Sequence, residues 1–268
     1  MKRTRLAACI VLVIIAACGL GAGILAPAHY ARQFRDAPNA PPSREHLLGT
    51  DALGRDRFSR VLHGTRVSLL LAPAAALVAT LATALIGGVA GFIGGTFRQL
   101  SLMLVDLFLS LPWLFLLITI RALLPLDLEP MASAMVTFLV LGLLGWAASA
   151  RILCAGVETI LGSEFVLQAR ASGIRRSRLL LWHVLPNMAP VMLAQFWISI
   201  PVFILAEANL GLLGLGVAEP LPSWGSLLRE LQDFAVYPEA PWKLACLLLL
   251  ITVVTSFQLV LTSREVNS

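Results

Sequence analysis

The chain has 268 residues; 58% are Ala, Val, Ile, Leu, Met, Phe, Trp, Tyr or Cys, and 20 glycines raise the apolar share to roughly two-thirds, against about half in soluble domains. Charged residues are only 13%, about half the soluble norm, and long uncharged stretches separate them. This excludes a disordered chain, a water-soluble enzyme and a nucleic-acid binder whose net charge of +5 forms a basic patch, and it implies an all-α, polytopic membrane protein.

A helix needs about 20 residues to cross ~30 Å of hydrocarbon. Six stretches qualify, and closed helices satisfy the backbone in lipid as open strands do not. The first, 6–28, follows Lys2, Arg3 and Arg5; the second, 67–97, is uncharged and interrupted by Pro73, Gly87-Gly88 and Gly94-Gly95. The third, 100–120, carries Asp106 and Pro112, and the fourth is 131–150. The fifth, 188–213, contains Pro190, Pro201 and Glu207, and the sixth is 244–262. The 20 lysines and arginines divide equally between the two sides, so the acid-free Met1-Lys2-Arg3-Thr4-Arg5 start decides the orientation. It places both termini in the cytoplasm, because the first helix usually dominates. Ile15-Ala16-Ala17-Cys18-Gly19 is similar to a lipoprotein cleavage box, but the apolar run continues ten residues past Cys18, which favours an uncleaved first span. Cys9, Cys18, Cys154 and Cys246 form no CxxC pair and have no neighbouring His, so they read as small buried hydrophobes.

Residues 29–66 form an extracytoplasmic segment. Pro38, Pro41 and Pro42 keep its start extended, and Leu48-Gly49-Thr50-Asp51 marks a turn with an N-cap candidate. Phe58, Val61 and Leu62 then share one face, with Arg55, Asp56, Arg57 and Arg60 on the others, which predicts an interfacial amphipathic helix leading into the second span. Residues 67–268 form a five-helix core.

The cytoplasmic segment 151–187 is too polar to span and too patterned for a slack linker. Ile160, Leu161, Phe165, Gln168, Ala169 and Ser172 trace one side of a helix that also carries Glu158 and Glu164; Gly173 caps it, and Pro186 closes a second short helix after Arg175, Arg176 and Arg178. Such a partly apolar prong suits a groove in a partner; a helix resting on anionic lipid headgroups is the alternative. In the last extracytoplasmic loop, 214–243, Ser223 can cap a short helix bearing Leu227, Leu228 and Leu231. Its Pro220, Pro222, Trp224, Phe234, Tyr237, Pro238, Pro241 and Trp242 fold it back over the bundle, as packing or as a docking surface.

The only lysines, Lys2 and Lys243, follow Met1 and Trp242, so the chain has no GxxxxGK[ST] loop and any ATP is hydrolysed by another chain. There is no HExxH or GxSxG; His29, His46, His63 and His183 lie in loops or at span ends, and Ser59 with His63 lacks a third group. No catalytic, cofactor or metal site is read. Asp106 and Glu207, at membrane depth, line a path or fix packing, and Pro112 and Pro201 open backbone groups near them.

The chain resembles the inner-membrane permeases of bacterial ABC importers, in the dipeptide/oligopeptide/nickel branch. Phe165-Val166-Leu167-Gln168-Ala169-Arg170-Ala171-Ser172-Gly173 and His183-Val184-Leu185-Pro186-Asn187 are similar to that family's "EAA" coupling motif. Leu48-Gly49-Thr50-Asp51, Gly54-Arg55-Asp56, Phe58-Ser59-Arg60 and Gly64-Thr65-Arg66-Val67-Ser68-Leu69 resemble the branch's signature before its second span. Leu213-Gly214-Leu215-Gly216-Val217 and Pro222-Ser223-Trp224-Gly225 resemble its last loop, on the receptor side. Leu167 replaces the motif's usual glutamate, Gln168 its usual alanine, and Asn209 a smaller residue beside Glu207. The resemblance implies a second permease, two ABC ATPases that bind ATP and Mg, and an extracytoplasmic substrate-binding protein, in the bacterial inner membrane. It implies ATPase coupling through Phe165, Gln168, Ala169, Arg170, Ala171, Gly173, His183, Leu185 and Pro186. An ion-coupled transporter using Asp106 and Glu207, or a scaffold, is the competing reading.

Overall fold

A computed structural model describes residues 2–123, 128–232 and 240–265. Phe234, Tyr237 and Pro238, expected to fold over the bundle, lie outside the described residues. Among those described the chain is helical, with two isolated bridges, Gln33 to Arg55 and Thr50 to Asp56. In chain order the principal helices among the described residues are α1 (Lys2–Leu20), α2 (Arg57–Ile93), α3 (Gly95–Ser110), α4 (Trp113–Leu123), α5 (Pro130–Leu144), α6 (Ala147–Leu161), α7 (Glu164–Ala171), α8 (Arg176–Leu212), α9 (Trp224–Arg229) and α10 (Ala245–Glu265), with short turns of helix at Ala22–Leu25, Glu230–Gln232 and Pro241–Leu244.

Five of these stretches are long and apolar enough to cross a membrane: Arg3–Leu20, Arg57–Ile93, Pro130–Leu161, Arg176–Leu212 and Pro241–Thr262. The expected third span is instead α3 and α4, which meet at 84° and make a sixth crossing if the bent pair is one broken span. Pro112 causes the break. It disfavours helical backbone at the residue before it, and Leu111 is extended (φ −83°, ψ 136°).

The chain divides into two compact units. One comprises Met1–Pro73, Ile120–Phe138 and Pro201–Ser268. Here α1 packs along α10, and Val67, Ala134, Val217 and Leu221 form a core with Tyr30 and Leu71 against it. The segment before α2 departs from the expected amphipathic helix. Asp51 caps no helix; its Oδ1 accepts from the N–H groups of Leu53 (2.9 Å) and Arg55 (2.8 Å), closing a turn. The cap of α2 is Asp56, whose Oδ1 accepts from Ser59 N–H (2.7 Å) and Oγ–H (2.8 Å). From there α2 runs without a break into the apolar stretch, and Arg55, Arg57 and Arg60 are buried in ion pairs instead of facing outward. Gly54 has φ +74°, and a Cβ there would lie 2.2 Å from Phe34 O, so the turn requires glycine on both counts.

The other unit comprises Ala74–Thr119 and Leu139–Ile200. Gly87 and Gly91, within the stretch expected to be interrupted by glycine pairs, prove to be packing residues. A Cβ on Gly87 would sit 2.2 Å from Ala150 O, and one on Gly91 would sit 2.7 Å from Cys154 O. One turn earlier, Thr83 Oγ1–H donates to Trp146 O at 3.3 Å. Thr83, Gly87 and Gly91 thus form a small-residue stripe at spacing four that lets α2 and α6 cross closely. A π turn, Ala84–Gly88, lies within this stripe.

Candidate functional site

The 151–187 segment builds a prong in the second unit. Gly162 and Ser163 interrupt the helix expected over 160–172, with Ser163 extended (φ −71°, ψ 150°), and α7 starts afresh at Glu164. Glu164 in its first turn and Arg170 in its last each match the nearer end of the helix dipole. Gly173, at φ +74°, closes α7. Its N–H donates to Arg170 O (3.0 Å) and the next N–H, of Ile174, donates to Ala169 O (3.3 Å), a paired Schellman closure. Ile174 packs with Val166, Ala169 and Leu179, and that contact sets the angle between α7 and α8.

The packed side of α7 is Val166 and Ala169. Phe165, Gln168, Arg170, Ala171 and Ser172 are exposed, so the side traced from sequence is half packed and half presented. At the start of α8, Leu181 is 57% and Trp182 72% exposed, and Phe165 and Leu167 are 45% and 51%. The His183 ring, half-buried, lies 6.3 Å from the Phe165 ring. Leu185 and Pro186 are exposed. Pro186 does not end a helix. The backbone widens into a π turn, Leu180–Val184, and α8 continues past it, which accommodates the missing N–H. A cavity of about 410 Å³ at the prong's base is lined by Gly94, Arg98, Glu158, Arg170 and Arg176 among others.

The two acids at membrane depth take different places. Asp106 is on the exposed face of α3 and pairs with Arg151 of α6. Glu207 is fully buried; its carboxylate accepts from Ser223 Oγ–H (2.6 Å) and Gly225 N–H (3.2 Å), tying α8 to the start of α9. Asn209 is exposed while Glu207 is buried, so their side chains occupy different faces.

Pro222, Ser223, Trp224 and Gly225 are all buried. Each is used inward, so none of the four is presented at the surface. Ser223 forms a capping box with Ser226. Trp224 Nε1–H donates to Thr65 Oγ1 at 3.1 Å and its backbone N–H to Ser68 Oγ at 3.2 Å. A Cβ on Gly225 would lie 2.7 Å from Glu207 O. Leu227, Leu228 and Leu231 are buried as the pattern predicts.

Sequence periodicity missed an ion-pair cluster in this unit. Arg55 pairs with Asp51 (2.6 Å) and Glu219 (2.6 Å), Arg60 with Glu219 (3.0 Å), and Arg57 with Glu230 (2.6 Å). Burial works against the Arg55 charge, but Asp51 and Glu219 outweigh it and hold the guanidinium above its ordinary range. Burial pushes the Glu230 carboxyl up, and Arg57 and Arg60 offset only part of that. The cluster borders a cavity of about 590 Å³ lined by Asp51, Arg55, Arg57, Glu230, Trp242 and Lys243 among others.

This arrangement of apolar helices and an exposed prong is that of a polytopic membrane component. Residues 83–266 match the family described as binding-protein-dependent transport system inner membrane component. The dipeptide transport system permease protein DppC of Bacillus subtilis is 34% identical over 206 residues, 77% of this chain but 62% of that relative. The oligopeptide transport system permease protein OppC of the same organism is 32% identical over 88% of this chain and 74% of its own length. The di/tripeptide transport system permease protein DppC of Pseudomonas aeruginosa is 35% identical over 86% of this chain and 75% of its own. The chain belongs to the family of binding-protein-dependent transport system inner membrane components, and is a multi-pass inner-membrane permease. These likenesses favour the permease reading over the ion-coupled one.

Proposed function

We propose that this chain forms, with a second permease, the pathway of an ATP-driven importer for short peptides, the cargo class for which its relatives are named. The observation that carries the reading is the prong: a Schellman-closed helix pair that keeps Phe165, Leu167, Leu181 and Trp182 exposed beside Arg170, Arg175, Arg176 and Arg178. Large apolar side chains held outward on a rigid turn suit a cleft in another protein better than water.

In this reading both termini and the prong lie in the cytoplasm, and two ATPase subunits that bind ATP and Mg each receive one prong, from this chain and its homologous partner. A substrate-binding protein delivers cargo on the opposite side, where the segment 29–66 and the loop 214–243 lie. Closure of the ATPase pair moves the prong as a unit, because the Ile174, Val166, Ala169 and Leu179 contact joins α7 to α8. The continuous α8 carries that movement toward Glu207 and the buried Ser223–Gly225 start of α9. The ATPase's differing affinity for the two arrangements provides the drive. Leu167 supplies no charge at the motif's usual acid, so apolar contact dominates at that position.

The test is ATP hydrolysis by the reconstituted transporter with and without loaded binding protein. Gly173→Pro should abolish the cargo-dependent increment while the chain still inserts and copurifies with its second permease. Normal stimulation in that variant sinks the reading.

A further inference from the structure

Arg121, on α4, is 1% exposed, yet it has no ion-pair partner among the described residues. Its Nε–H donates to Thr137 Oγ1 at 3.2 Å. Its Nη2 donates to Ser133 Oγ at 2.9 Å and to Gly216 O at 3.4 Å. Its Nη1 has no hydrogen-bond partner among the described residues. A guanidinium does not give up its proton at physiological pH, so burial cannot be relieved by neutralisation. Among the described residues three neutral oxygens solvate the charge and no carboxylate balances it, and a buried charge without a counter-charge is costly.

Arg121 lines a cavity of about 150 Å³ with Gly211, Gly214, Gly216, Glu219, Ser226 and Arg229. Glu219 belongs to this wall, but its carboxylate is already taken by Arg55 at 2.6 Å and Arg60 at 3.0 Å. Arg229 lies over Gly214, so close that a Cβ there would be 3.2 Å from Arg229 Cζ, and it too lacks an ion-pair partner among the described residues. The cavity is therefore lined by a buried guanidinium, a second guanidinium and three glycines of bare backbone. A liquid water occupies about 30 Å³, so the space takes one small ion with a few waters and is below the ~300 Å³ of sites for drug-sized ligands.

We propose that this cavity binds a small monovalent anion, a halide ion or a single carboxylate, received by Arg121 Nη1 from within and by Arg229 at the rim. The anion completes the hydrogen bonding of Arg121 and pins α4 and α5 to the strap at 216–218, which Ala218 N–H also joins by donating to Ser133 Oγ at 3.2 Å. The site is independent of the prong and of the cargo.

The test is thermal unfolding of the full chain in lipid nanodiscs. Chloride or acetate is titrated in place of a bulky morpholine sulfonate at constant ionic strength. The melting temperature should rise and saturate with anion concentration, as ligand binding to the folded state requires. The anion that saturates at the lower concentration identifies the preferred ligand. Arg121→Met should abolish the saturable rise. Arg229→Gln, at an exposed position, keeps the fold and should raise the half-saturating concentration about tenfold, as loss of one charge-assisted contact predicts. A flat titration, an equal rise in the sulfonate, or unchanged half-saturation in Arg229→Gln overturns the proposal.

Discussion

In the prong, Phe165, Leu167, Leu181 and Trp182 are presented outward while small or branched residues, Val166, Ala169 and Ile174, make the inner contact. In the segment around the start of α2 the pattern reverses: Arg55, Arg57 and Arg60 are buried and held by Asp51, Glu219 and Glu230. Hydrophobicity alone ranks the first as core and the second as surface. Buried charges require fixed partners and so belong where the backbone is locked by caps and turns. Exposed apolar side chains have a use only where another surface covers them. The ion-paired segment holds its charges in fixed partners, and the prong leaves large apolar side chains uncovered.

The predictions that would break or sharpen this contrast run from large stability effects in the ion-paired unit to negligible ones on the prong. Arg60→Ala removes the buried guanidinium that links Asp51, Glu219 and Glu230, leaving Arg55 and Arg57 as their only cationic partners among the described residues, and should destabilise by about 3–5 kcal/mol, read as loss of resistance to chemical denaturation in detergent. Glu207→Ala leaves Ser223 Oγ–H and Gly225 N–H unpaired and should cost about 2–3 kcal/mol, with proteolysis appearing first near α9. Gly173→Ala meets open space but forces an L side chain to φ +74°, at about 1–2 kcal/mol confined to the prong. Its signature is faster amide exchange in α7 with the global melting temperature unchanged. Trp182→Ala should shift stability by less than about 0.5 kcal/mol yet lower copurification of the ATPase. A full stability loss there would place Trp182 in the core and erase the contrast.

Glu230 adds a pH test. Its carboxyl titrates above its unfolded value, so the folded state binds the proton more tightly. That contribution is complete below the ordinary carboxylate range and is lost as pH rises through the raised value. Glu230→Gln should flatten this part of the stability–pH curve, and an unchanged curve would assign the slope elsewhere.

The membrane crossings and the prong were legible because their signals are local: long apolar runs, and Gly173 where a helix must turn. The buried ion pairs were not, since Arg60 and Glu219 are 159 residues apart and Arg57 and Glu230 are 173 apart, beyond any periodicity. Phe58, Val61 and Leu62 gave a true apolar face, but the opposite face met carboxylates instead of solvent. Asp56 three residues before Ser59 was a readable cap signal that the turn at Asp51 obscured. Gly87-Gly88 looked like a break because a glycine's packing use depends on the helix opposite it, whereas Gly94, at φ +72°, does end α2. Pro186 looked like a stop because a π turn that absorbs a proline leaves no mark in composition.

The central claim is that the exposed face of the prong seats in an ATPase. Cysteine placed at Phe165 or Trp182, in a functional transporter, should form a zero-length disulfide with cysteines in the ATPase cleft, with a yield that changes when ATP closes the ATPase pair. Labelling of both positions by a membrane-impermeant maleimide from the outside, with no ATPase adduct in any nucleotide state, would contradict it.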